Sequence, residues 1–145
     1  MSTSNDTNPT IFPALRYRDA DAAIAFLKEA FGFTEHAVYR SDAGLVEHAE
    51  LKLGPSMIML GQHRDDGWIQ PKVADPLASP MTIYVVVADP DALYAQAKAG
   101  GAEIVRELED QSYGSRDFAA RDLDGNLWSF GTYSPHAVQA EPASA

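Results

Sequence analysis

The chain has 145 residues, 46% of them apolar and 10% aromatic, the size of one compact domain with enough material for a packed core, which excludes disorder throughout. Eleven Lys plus Arg against twenty-one Asp plus Glu leave a formal charge of -10, which argues against a surface that tracks nucleic-acid phosphates or anionic lipid. With no cysteine, a disulfide framework, a thiolate zinc site and a cysteine nucleophile are all excluded.

Met1 to Pro9 is polar, with neither the basic nor the apolar segment of a signal peptide, and reads as a flexible tail. No later apolar run has the length to span a bilayer, so the expected location is the cytoplasm. A first module over residues 10–61 opens with a strand from Thr10 to Tyr17. Asp19 then caps a helix that runs through about Ala30, with Ile24, Leu27 and Phe31 on one face and Gly32 as a left-handed stop. Phe33 to Arg40, Leu45 to Leu53 and Met57 to Gly61 read as strands, the last two joined through Gly54-Pro55-Ser56. A linker over 62–80 holds Trp68 among Asp65, Asp66 and Gly67.

The same order returns in a second module over 81–133. Met81 to Val87 reads as a strand. Asp89 caps a helix to about Ala99, with Pro90 at its first position and Gly100-Gly101 after it. Ala102 to Leu108, Ser115 to Asp122 and Asn126 to Tyr133 follow as strands, the last two linked by Asp124-Gly125. Residues 134–145 read as a second tail. Shifting the chain by seventy positions lays Asp19, Asp21, Ala22, Ala25 and Lys28 on Asp89, Asp91, Ala92, Ala95 and Lys98, and the hairpin Leu53 to Met57 on Leu123 to Leu127. One offset that aligns a helix and a distant hairpin points to a duplicated βαβββ module, an α+β fold.

Leu15-Arg16-Tyr17-Arg18-Asp19-Ala20-Asp21, Ala25-Phe26-Leu27, Phe31-Gly32-Phe33 and Asp122 to Phe130 together resemble the vicinal oxygen chelate superfamily, within it the glyoxalase/bleomycin-resistance group. The resemblance runs from about Thr10 to Tyr133. It implies two tandem βαβββ modules whose mixed sheets curve into a cleft for a small molecule, commonly in a homodimer. It also implies four metal-ligand positions, which in this chain are Phe12, Met59, Thr82 and Ser129. None is an imidazole or a carboxylate, so the expectation is that no metal cofactor is held; a divalent metal bound through other donors is the alternative.

Strand alternation predicts which side chains line the cleft. Leu51, Leu53, Ile58, Leu60, Trp128 and Phe130, with Ile11, Pro13 and Leu15, are expected to face the helices. Phe12, Arg16, His48, Glu50 and Met59 are expected on the other face, joined by Thr82, Tyr84, Phe118, Ala120 and Ser129 from the second module. His48 and Glu50, alternate residues of one strand, place an imidazole beside a carboxylate, an arrangement suited to proton relay or to anchoring a cation. At seventy positions their partners are the apolar Phe118 and Ala120, so the pair belongs to one half only. His36 and His63 read as solvated, and Asp122 to Asn126 as a hairpin turn, since its Gly falls at the wrong place for a calcium loop. Trp68 is a candidate to stack on a flat ligand.

Two functions fit these residues. The first is a metal-independent protein of the bleomycin-resistance type that binds or sequesters a small aromatic or cationic molecule. The second is a glyoxalase-type lyase or isomerase, either metal-dependent or metal-free with Glu50 or His48 as general base. A third, an interaction module with a filled cleft, requires that no ligand-sized pocket exist.

Overall fold

The computed structural model describes residues 9–64 and 82–136; Trp68, Met81 and the outer parts of both tails lie outside them. The chain divides into two compact units, Met1–Lys72 and Val73–Ala145. Among the described residues each holds one helix and one four-stranded mixed sheet, so the fold is α+β.

The first unit runs β1 (Ala14–Tyr17), α1 (Ala20–Phe31), β2 (Thr34–Arg40), β3 (Val46–Leu53) and β4 (Ser56–Gln62), with strand order β1-β4-β3-β2. β1 lies parallel to β4 and the other pairs are antiparallel. β1 starts at Ala14 rather than Thr10, because Pro13 has no N–H to give the ladder; Ile11, expected to face the helix, is 87% exposed. α1 begins where the Asp19 carboxylate accepts from the Ala22 N–H at 3.1 Å and ends at Gly32, whose φ of 83° is a left-handed conformation that favours glycine. Its buried stripe of Ala20, Ala23, Ile24, Leu27, Ala30 and Phe31 packs on β1, β3 and β4. Tyr17, Leu27, Phe31, Val46 and Leu51 are fully buried, each side chain contributing about 1.5–3 kcal/mol through the area it removes from water.

The second unit repeats the plan with β5 (Thr82–Val86), α2 (Pro90–Ala99), β6 (Glu103–Asp110), β7 (Arg116–Arg121) and β8 (Leu127–Gly131), in the order β5-β8-β7-β6. Asp89 caps α2 through Ala92, as Asp19 caps α1. α2 buries only Pro90 and Ala97, so the weight of this core lies on the sheet. Phe118 stacks on Phe130 with ring centroids 5.1 Å apart and meets the edge of Tyr94 of α2 at 5.3 Å, while Trp128 stacks on Phe130 at 6.3 Å. The Trp128 indole N–H donates to Asp122 at 3.0 Å, and Asp122 also accepts from the Asp124 and Asn126 N–H groups, which shapes the hairpin turn.

Phe118 and Ala120 therefore face the helix side, not the face of His48. The cause is one residue in a hairpin. Four residues separate the paired Lys52 and Met57, whereas five separate Arg121 and Leu127. The offset of seventy holds for β1/β5 and β4/β8, where Ala14 pairs with Met59 and Tyr84 with Ser129. It becomes sixty-nine for β7, and a slip of one residue turns every side chain of a strand over. Glu50 and Ala119 are the true counterparts, each opposite the β4 or β8 residue Met59 or Ser129.

The second acid of each helix has a further role. Asp21 receives both ends of the Arg40 guanidinium from β2, at 2.7 and 3.2 Å. Asp91 receives Arg116 from β7 at 2.8 and 3.2 Å. These hydrogen bonds hold both carboxyls below the usual Asp range.

Candidate functional site

Each sheet has one face turned away from its helix, and the chemistry of the chain gathers there. In the first unit, Ala14, Met59, Glu50 and Ala37 form one row across the four strands. His48 Nε2 donates to Glu50 Oε2 at 2.9 Å, as their alternation in β3 predicts. The Glu50 side chain is 27% exposed and that of His48 41%. The Tyr39 ring, directly across from His48, stacks on it with centroids 6.0 Å apart.

His36, whose side chain is 49% exposed and so solvated as its reading has it, also approaches this group. The β2–β3 register shifts between Glu35 and Ala37, a bulge that sets two residues of β2 opposite Glu50. His36 Nε2 thereby stands 3.8 Å from Glu50 Oε1. Nothing in the sequence marks the bulge, so alternation alone does not bring His36 and Glu50 together. Arg16, on the same face, donates to the Gln62 carbonyl at 3.0 Å. Phe12 precedes β1 and is 40% exposed.

The four positions at which the family's resemblance implies metal ligands hold a phenyl ring, a thioether and two hydroxyls, in Phe12, Met59, Thr82 and Ser129. That donor set does not fit a divalent centre, which needs several carboxylates or imidazoles. Among the described residues, no group of three or more His, Asp or Glu is placed to hold a metal ion.

On the corresponding face of the second unit, Tyr84 pairs with Ser129, and Ser129 with Ala119. Thr82, the first residue of β5, is exposed opposite Leu127. Tyr84 donates from its hydroxyl to the Tyr133 carbonyl at 2.7 Å. Burial pushes its phenol upward, the nearby Asp117 charge adds to this, and the Ser115 hydroxyl opposes it. Asp117, only 3% exposed, accepts from Gln111 Nε2 at 3.0 Å, Arg106 at 3.2 Å and the Tyr113 hydroxyl at 3.3 Å. Its place is kept open by Gly131, where a Cβ would stand 2.7 Å from the Asp117 Cβ and 2.8 Å from the Tyr84 hydroxyl. Asp117, Arg106 and Tyr113 are missed by a seventy-residue comparison, which aligns His48 with Phe118; the extra residue in the second hairpin is the signal that finds them.

Known proteins are similar to this chain in sequence and fold. Residues 11–130 match the family model of the Glyoxalase/Bleomycin resistance protein/Dioxygenase superfamily. An uncharacterized protein of Mycobacterium bovis is 32% identical over 129 residues, covering 87% of this chain and 84% of its own. TioX from Micromonospora sp. ML1 superposes with a TM-score of 0.72 at 28% identity, over 88% of this chain and 100% of that one. The bleomycin resistance determinant encoded on transposon Tn5 gives 0.63 at 26% identity, over 88% and 99%. A bleomycin-binding protein in complex with bleomycin gives 0.62 at 25%, over 88% and 100%. With two βαβββ units and a family match over residues 11–130, the chain belongs to the Glyoxalase/Bleomycin resistance protein/Dioxygenase superfamily.

Proposed function

We propose that this protein binds a small aromatic or cationic organic molecule on the helix-free faces of its sheets, without a metal, and acts by sequestering it. The observation that carries this reading is the pairing of exposed aromatic rings with carboxylates on those faces. Tyr39 lies beside His48 and Glu50, and Tyr113 beside Asp117. Rings supply stacking area and attract cations, and the carboxylates and the net charge of -10 favour the same sign of ligand. The likeness to a bleomycin-binding protein at 25% identity and to a bleomycin resistance determinant at 26% supports a binding rather than a catalytic role. A cytoplasmic homodimer is the form we assign to it; no helix among the described residues is long and apolar enough to cross a membrane.

A second reading is favoured by the 2.9 Å bond from His48 to Glu50, a base–orienter pair of the kind that moves protons. In that reading the protein is a metal-free isomerase or lyase.

A thermal-shift screen of bleomycin, other antibiotics, metabolites and divalent metals separates these. An organic ligand at a hundred times its Kd stabilises the native state by about 2.7 kcal/mol and raises Tm. A shift with a divalent metal alone overturns the metal-free reading. Turnover that survives chelation and disappears in Glu50→Gln overturns sequestration in favour of catalysis.

A further inference from the structure

We infer that the helix-free face of the second sheet carries a subsite for an organic ammonium group, protonated or quaternary, bounded by Tyr113, Tyr133, Glu109 and Asp117. The inference rests on the ligand-binding reading above and names the chemical group that this face would take.

The two units make the argument by comparison. The turn before β7 is the same turn as the one before β3. Gln111 N–H donates to the Ser115 carbonyl at 2.7 Å and Gly114 N–H to the Gln111 carbonyl at 3.0 Å, while Ser41 and Leu45, and Gly44 and Ser41, pair at 2.8 and 2.9 Å. Both turns end on a left-handed glycine, Gly114 at 96° and Gly44 at 88°. The position before that glycine is Ala43 in the first unit and Tyr113 in the second. A methyl group satisfies this turn, so the Tyr113 ring is not there to build it. The ring is 63% exposed and stands perpendicular to Tyr133, itself 42% exposed, with centroids 6.5 Å apart. Two such rings form a corner whose electron-rich surfaces attract a cation.

The charge beside the corner has the complementary sign. Glu109 and Asp117 face each other across β6 and β7, an arrangement in which like charges repel. Gln111 bridges them, donating to Asp117 at 3.0 Å and to Glu109 at 3.5 Å, but an amide brings no charge. Arg106 compensates one carboxylate, at Asp117. Among the described residues, one negative charge of the pair, that of Glu109, is left uncompensated, beside the Asp117 to which Tyr113 is bonded. At the corresponding face of the first unit no second carboxylate faces Glu50 across the ladder, where its partners are Ala37 and Met59.

The test uses choline and 3,3-dimethylbutan-1-ol, which has the same shape without the charge, read by the NMR shifts of labelled tyrosines in the full chain. Choline is expected to move the Tyr113 and Tyr133 signals with at least about fivefold higher affinity than the neutral alcohol, the discrimination that a cation–ring contact supports. Tyr113→Leu and Glu109→Gln, both at exposed positions, are expected to weaken choline about fivefold, while Leu45→Ala, at an exposed position of the first unit, leaves it unchanged. Equal affinity for the alcohol, unchanged choline affinity in both variants, or no tyrosine shift with choline overturns the subsite. If the thermal-shift screen finds a ligand while these tyrosines ignore choline, the subsite fails and the binding reading stands. If choline moves them but no screened compound raises Tm, the subsite stands and sequestration loses its support.

Discussion

His48 and Asp117 occupy the same place in the two sheets, each two residues before the residue that faces Met59 or Ser129 across the ladder. One is half-exposed and bonded to a carboxylate, the other is buried and bonded to an arginine, a glutamine and a tyrosine. The duplicated frame thus carries different ionisable groups at matched points of its two sheets.

Phe118→Ala tests the face assignment of β7. A ring that is 0% exposed and packed on Phe130 and Tyr94 leaves a cavity, and urea denaturation is expected to show a loss of about 3–5 kcal/mol. Phe12→Ala, at a residue 40% exposed, is expected to change stability by less than about 1 kcal/mol. Similar small losses in both would return Phe118 to the exposed face.

Asp122→Ala removes the acceptor of the buried Trp128 indole N–H together with two backbone bonds of the turn. An unsatisfied buried donor costs about 1–3 kcal/mol, and the lost turn bonds add to it. Asp122→Asn keeps an oxygen acceptor there and is expected to lose less. Chemical denaturation of the two variants gives the comparison.

Gly131→Ala is expected to destabilise by about 1–3 kcal/mol, because the added methyl would overlap the Asp117 Cβ and the Tyr84 hydroxyl, which the strand register fixes in place. The same variant is expected to displace Tyr84, so its phenol ionises at lower pH than in the parent, read by ultraviolet titration; burial is what raises it now.

Arg116→Gln and Arg40→Gln test the helix-to-sheet bridges through pH. Asp91 and Asp21 have depressed folded-state values, so the stability they add is complete above the unfolded Asp value of about 4 and is lost as pH falls through the folded value. Tm measured from about pH 5 to 2 is expected to fall less steeply in each variant than in the parent. Both pairs are exposed, so the effect is small and shrinks further with salt.

What the sequence determined by itself was the local grammar. Asp19 and Asp89 cap, Pro90 opens, Gly32 closes and Gly125 turns because each acts through its own backbone and its nearest neighbours. The seventy-residue offset carried the duplication for the same reason, and the placement of His48 beside Glu50 needed only the period of a strand. The tertiary structure decided what depends on register. One additional residue between Arg121 and Leu127 turned Phe118 toward the helix and set Asp117, itself buried, on the opposite face of the sheet, and one bulge in β2 set His36 against Glu50. Alternation has a period of two, so a single inserted residue inverts a strand, and only the hydrogen-bonded partner across the ladder reveals it.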